Sequence, residues 1–186
     1  MEELDMFLEE AEDLMKKAVE HTKAELTKIR AGKAMPGMLD GLMVEYYGNA
    51  TPINQVASIN TPDARTLVIK PWEKGMIGEI EKSIQNSDLG ITPQNDGELV
   101  RLNIPPLTEE RRKSLVKQAK GEAENGKISI RNIRKDTNDS LKKLLKEGVS
   151  EDEVKRAEDT VQELTNKYSA QIDKLLEDKE KDIMTV

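Results

Sequence analysis

Eight basic residues in the second half of the chain are spaced so that a helix would carry them on one side: Lys113, Lys117, Lys120, Lys127, Arg131, Arg134, Lys135 and Lys142. With Ile130 set at 0° and about 100° per residue, they fall between about 40° and 140°. The chemistry open to such a set is electrostatic. A row of cations on a stiff rod matches the run of charge along a nucleic-acid backbone. Arginine adds a planar fork that suits a phosphate bidentately. Solvated helix faces ordinarily interleave Glu with Lys one turn apart, whereas Glu124 is the acid standing among these bases. The competing structural reading is a solubilising face balanced by acids on adjoining helices.

Groups for other chemistry are missing. There is no cysteine, so no thiol nucleophile, disulfide or thiolate metal site. The single histidine, His21, falls in the middle of the first helical run, and no Ser/His/Asp set, Gly-rich phosphate loop or HExxH motif is present. The carboxylates lie on faces that read as solvated. The "EYY" of 45–47 and the lone Trp72 suit packing or an exposed contact better than a cofactor. These residues point away from an enzyme and ask for no cofactor and no metal.

Charge is distributed unevenly over the 186 residues, whose net charge is −7. Residues 108–148 hold 12 basic and 7 acidic side chains, while 1–30 hold 5 and 9, 31–107 hold 6 and 9, and 149–186 hold 6 and 11. One basic segment sits in an acidic chain. That argues against indiscriminate coating of nucleic acid, DNA included, and for a specific, shaped RNA site. No apolar run approaches the roughly 18 residues a membrane span needs. The acidic amphipathic N-terminus is unlike a secretory or transit peptide, so a cytoplasmic protein is expected.

Three long helices must position the basic row. Residues 4–29 place Leu4, Leu8, Ala11, Met15, Ala18, Leu26 and Ile29 on one face, with Thr22 in the gap. The stretch 108–146 repeats the spacing with Leu115, Ala119, Ala123, Ile130, Ile133, Leu141 and Leu144, and would approach about 60 Å. Gly148 suits its end, and Ser150 with Glu153 reads as a capping box opening a third helix through Val154, Ala157, Val161, Leu164, Tyr168, Ile172 and Leu175. The spacing predicts a three-helix bundle from residues 1–30 and 106–186.

Residues 31–105 read as a small inserted α+β domain. Short β-prone runs lie at 43–47, 55–59, 65–70 and 98–104, and a short helix at 74–87 carries Ile77, Ile80 and Ile84 and ends at Gly90. Turns are expected at Asp40-Gly41, Thr61-Pro62-Asp63 and Asp96-Gly97. Two short crossings join the domains, at Arg30, Ala31 and Gly32 and at Asn103, Ile104, Pro105 and Pro106. Both are expected to act as a hinge.

Over essentially its whole length the chain resembles the bacterial ribosome recycling factor family. The likeness runs in order through "KIRAGKA" (28–34), "LDGLMVEYYG" (39–48), "TPINQVASI" (51–59), "EKSIQNSDLG" (81–90), "PPLTEERRKSL" (105–115), "RNIRKDTND" (131–139) and "VQELTNKY" (161–168). Lys33 stands where many relatives carry arginine. The resemblance implies an L-shaped, tRNA-sized monomer made of a long three-helix bundle and an inserted β/α/β domain. It implies a translation factor that, with elongation factor G and GTP hydrolysis, splits the post-termination ribosome. The bundle would lie on large-subunit ribosomal RNA and the small domain would meet elongation factor G. The family's RNA-contacting arginines match Arg30, Arg131 and Arg134. Two rival readings carry different expectations. A coiled-coil adaptor or co-chaperone would bind with little salt dependence, and a generic structured-RNA module would not prefer ribosomes.

Overall fold

The computed structural model of the protein describes residues 2–185. Its elements in chain order are α1 (Glu2–Lys28), β1 (Met43–Tyr46), β2 (Asn49–Pro52), β3 (Ala57–Asp63), β4 (Thr66–Pro71), α2 (Ile77–Gln85), β5 (Pro93–Asn95), β6 (Val100–Asn103), α3 (Glu109–Lys146) and α4 (Glu151–Met184). The protein is mixed α+β, and the chain divides into two compact units, residues 1–31 with 109–186 and Gly32–Thr108.

In the first unit α1, α3 and α4 pack against one another in every pairing. Near the α3–α4 turn the core holds Leu4, Leu141, Leu144, Val154, Ala157 and Val161, and further along it holds Met15, Ala123, Ile130, Tyr168 and Ile172. Each fully buried aliphatic side chain contributes about 1.5–3 kcal/mol over its exposed state. Within the second of these layers α3 carries Gly126, which is buried. A Cβ there would overlap Thr22 Oγ1 and lie 2.9 Å from Ile172 Cδ1. The missing side chain therefore lets all three helices approach closely at one level. Thr22 can be buried at this contact because its hydroxyl donates to Ala18 O, 2.9 Å away in its own helix. Thr165 does likewise with Val161 O at 2.8 Å, which is how it takes a core position while Leu164 is only half-buried. A half-buried polar link ties α4 to α1, where the Tyr168 hydroxyl donates to Glu12 Oε1 at 2.7 Å.

The turn that reverses α3 into α4 is tight. Gly148 has φ +99°, a left-handed conformation that glycine adopts without Cβ strain. The Val149 N–H then donates to Leu144 O at 3.1 Å. Ser150 caps α4: its hydroxyl accepts from the Glu153 N–H, and the Glu153 carboxylate accepts from the Ser150 N–H. Val149 packs on the adjoining core.

The second unit has an antiparallel sheet in the order β3-β4-β6-β5, a separate β1–β2 hairpin, and α2 packed against both. Its core gathers Leu39, Val44, Ile53, Leu67, Ile69, Ile80, Ile84, Val100 and Leu102. Three local expectations are corrected here. First, β2 ("NATP") and β5 ("PQN") are strands although neither is β-prone. β2 is brought into register by the left-handed pair Tyr47 (φ 48°) and Gly48 (φ 82°), a geometry that matches the twist of a two-residue hairpin. Second, Thr61-Pro62-Asp63 does not form the turn. β3 continues through it, with a register irregularity between Asn60 and Asp63 that tolerates Pro62. The reversal falls at Ala64-Arg65, where Asp63 accepts from the Arg65 N–H (2.8 Å) and from Thr66 Oγ1 (3.0 Å). Third, α2 ends at Gln85, five residues before Gly90, and the Asn86 N–H donates to the Lys82 and Ile84 carbonyls that close its last turn.

Candidate nucleic-acid interface

The eight basic residues are carried by α3 alone, and α4 runs beside them. Lys113, Lys117, Lys120, Arg131, Lys135 and Lys142 are exposed, while Lys127 and Arg134 are half-buried. The neighbours of these side chains differ along the row. Lys120 lies 3.9 Å from Glu180 of α4, and Lys127 is paired with Asp173 of α4. The Arg131 NH1 donates to Glu124 Oε1 at 3.2 Å within α3. The Arg134 NH1 donates to Gln162 Oε1 of α4 at 3.1 Å, and Gln162 Nε2 donates in turn to Asn166 Oδ1 at 2.9 Å. Lys113, Lys117, Lys135 and Lys142 have no ion pair among the described residues. The row is thus partly neutralised over the Lys120–Arg131 stretch and left charged at both ends.

The α4 partners were not singled out from sequence. The signal that could have found them is the tight turn at Gly148–Ser150. Antiparallel helices pair positions lying at similar distances on either side of such a turn, which places Asp173 opposite Lys127 and Glu180 opposite Lys120.

Arg30 stands on a different element, exposed and just past the end of α1. The remaining crossing residues have unequal freedom. Ala31 is buried. Gly32 has φ +70°, and a Cβ on it would lie 2.5 Å from Leu107 Cγ, so both backbone and space require glycine. Asn103 is paired with Thr66 in the β4–β6 ladder, and the buried Ile104 donates its N–H to Arg65 O at 2.8 Å. Pro105 and Pro106 are exposed and outside any regular element.

Elsewhere the chemistry is sparse. His21 is exposed and borders a groove of about 340 Å³ between α1 and α3, with Glu25, Glu122, Asn125 and Ser129, on the flank of α3 opposite the basic row. Among the described residues no group of three or more His, Asp or Glu side chains could hold a metal, and no helix is long and apolar enough to cross a membrane. The Tyr168 phenol is pushed up to about 12 by burial and then by its bond to the Glu12 carboxylate. Glu12 is held below its ordinary value, chiefly by the Tyr168 hydroxyl. In the small unit Tyr46 and Tyr47 both donate to Glu73, each at 2.9 Å, with the two rings edge to face at 4.5 Å. Tyr47 is 78% exposed and Trp72, the residue before that glutamate, is 66% exposed.

A family model described as "Ribosome recycling factor" matches residues 22–184. A ribosome-recycling factor of Cytophaga hutchinsonii is 58% identical over 186 residues, covering 100% of both chains. A solution structure of a ribosome recycling factor superposes with a TM-score of 0.77 at 40% identity, over 100% of each chain. A second solved structure is a T. thermophilus ribosome recycling factor that, with E. coli elongation factor G, is bound to the E. coli post-termination complex. It aligns with a TM-score of 0.63 at 46% identity, over 98% of this chain and 99% of that one.

Proposed function

This chain belongs to the ribosome recycling factor family, and we propose that it works by laying the basic side of α3 on large-subunit ribosomal RNA while its small unit engages elongation factor G. Its function is ribosome recycling, and it is a translation factor. The observation that carries the RNA reading is the row on α3, in which Lys113, Lys117, Lys135 and Lys142 keep uncompensated charge beside the better-ordered Arg131 and Arg134. Cations so arranged gain affinity by releasing counterions from phosphates. Arg30, together with Lys120 and Lys127 once exchanged from their acidic partners, adds to the same surface.

In this reading the chain performs no bond chemistry. Elongation factor G hydrolyses GTP and supplies the force, and the bundle transmits it as a rigid wedge between ribosomal subunits. Movement is taken up at Arg30–Gly32 and at Pro105-Pro106, the crossing positions least tied into secondary structure. Asn103 and Ile104, which are hydrogen-bonded into the sheet, move with the small unit. The factor acts as a cytoplasmic monomer, without DNA, metal or cofactor.

Co-sedimentation with large ribosomal subunits at rising salt tests this. The logarithm of affinity is expected to fall linearly with the logarithm of salt concentration. A salt-insensitive interaction favours an adaptor that binds protein through its helices. Equal binding to unrelated structured RNAs favours a generic RNA module.

A further inference from the structure

We propose that α4 completes the RNA-binding face of α3: Gln162, braced by Asn166, holds the Arg134 guanidinium in place without cancelling its charge, and this assembly seats one RNA phosphodiester. The inference rests on the ribosomal-RNA reading of the α3 row and adds a second helix to it.

The row's side chains fall into three kinds by partner. Lys120, Lys127 and Arg131 lie against the carboxylates of Glu180, Asp173 and Glu124. A phosphate arriving there must displace an anion the protein already supplies. Lys113, Lys117, Lys135 and Lys142 have full charge but no ion pair among the described residues to hold their flexible stems, so each side chain must be ordered on binding. Arg134 alone combines full charge with an ordered head. Its partner is a neutral amide oxygen at 3.1 Å, and the residue is half-buried against α4. A guanidinium carries five N–H donors, so one bond to Gln162 leaves the rest of the fork for a phosphate.

Gln162 and Asn166 are both exposed, and the bond between them orients the Gln162 amide. Its Nε2 is spent on Asn166 Oδ1 at 2.9 Å, one helical turn on, which turns Oε1 to Arg134. An acid at 162 would make a shorter, stronger bond to the same arginine. It would also neutralise it, as Asp173 does Lys127. The amide therefore supplies what a carboxylate cannot, a fixed geometry with the positive charge intact. Gln162 acts through Arg134 and is a positioning residue.

The test is co-sedimentation of the full chain with large ribosomal subunits across a salt series, with a thermal melt of each variant. Arg134→Ala is expected to weaken binding about tenfold and flatten the salt slope by about one. Gln162→Ala, which leaves every charge in place, is expected to weaken binding about threefold to fivefold with the slope unchanged. Asn166→Ala is expected to move the same way by a smaller factor. Gln162→Glu is the deciding variant. It keeps or strengthens the bond to Arg134, so its melting temperature stays level or rises. Yet binding is expected to fall at least as far as in Gln162→Ala, with a flatter slope. A merely structural glutamine gives the reverse order, with Gln162→Glu tolerated and Gln162→Ala losing thermal stability and binding together. That result overturns the proposal, as does wild-type binding by both Gln162 variants while Arg134→Ala is impaired, and in either case the RNA reading of α3 survives. Wild-type binding by Arg134→Ala overturns the RNA reading at this position and the proposal with it.

Discussion

The helical unit and the small sheet unit use the same residue type, glycine, for opposite ends. In the bundle Gly126 lies in ordinary helical backbone and is required by what surrounds it, Thr22 and Ile172. In the sheet unit Gly41, Gly48, Gly90 and Gly97 all have positive φ, and nothing lies within 4 Å of where a Cβ would stand. Apart from Gly148, a turn glycine of the bundle, and Gly32, which answers both demands, one unit is specified by contact across long, repetitive surfaces and the other by backbone conformation at its turns. The same division separates their outward faces. The bundle presents a row of cations whose strength is set by neighbouring helices. The sheet unit presents two of the chain's three tyrosines and its only tryptophan.

The strongest blow to this comparison falls on the bundle contact. Gly126→Ala improves helix propensity by about 1 kcal/mol yet forces a methyl group into Thr22, so a net loss of about 1–3 kcal/mol is expected by denaturant unfolding. A stabilised variant would mean the three helices separate easily at that level. Next in size is the pH response of the half-buried link between α1 and α4. The Tyr168 phenol titrates near 12 in the folded chain, against about 10 when unfolded. Its contribution is complete below pH 10 and is lost as pH rises through 12, at about 1.4 kcal/mol for each unit between the two values. Tyr168→Phe is expected to flatten stability over that window, and an unchanged profile would assign alkaline unfolding to other groups. At the acid end Glu12, held low, gives up its share as pH falls through its depressed value.

A third effect concerns the outward face. Arg131→Ala is expected to weaken ribosome binding about tenfold, since a hydrogen bond to a charged group is worth about 1.5–3 kcal/mol, while stability moves by less than about 0.5 kcal/mol. Asp136→Ala and Gln118→Ala, on the opposite flank of α3, are the reference substitutions, and losses there as large as at Arg131 would make the row a solubility feature. Smaller again is the cap: Ser150→Ala is expected to cost about 1 kcal/mol. The smallest change runs the other way. Gly121 lies in the same helix as Gly126, exposed and with open space around it, so Gly121→Ala is expected to stabilise by about 0.5–1 kcal/mol. Opposite signs at two glycines five residues apart would sharpen the distinction between contact and conformation.

The bundle was readable from its apolar period because every turn of α1, α3 and α4 repeats the same demand to be buried. Even there Gly126 escaped notice. The interval from Ala123 to Ile130 looks empty until Thr22 is known to fill it from another helix. In the sheet unit the strands with alternating branched residues, such as Val100 and Leu102, were legible. β2 and β5 were not, since their pairing is imposed by turns and by neighbours rather than by their own side chains. The basic row followed from helical angle alone. Which of its members are neutralised and which is braced did not, because Asp173, Glu180 and Gln162 reach α3 only through antiparallel packing.

Trp72 has an optical consequence. It is the chain's single indole and lies two-thirds exposed in the small unit, so all of the protein's tryptophan emission comes from one water-facing position. A partner that covers that surface would exclude solvent from the ring and move its emission to shorter wavelength. α3 holds no tryptophan, so RNA settling on its side chains meets no indole of that helix. The two encounters can therefore be timed separately in one unlabelled sample, with light scattering following the ribosome and native fluorescence following whatever arrives at the sheet.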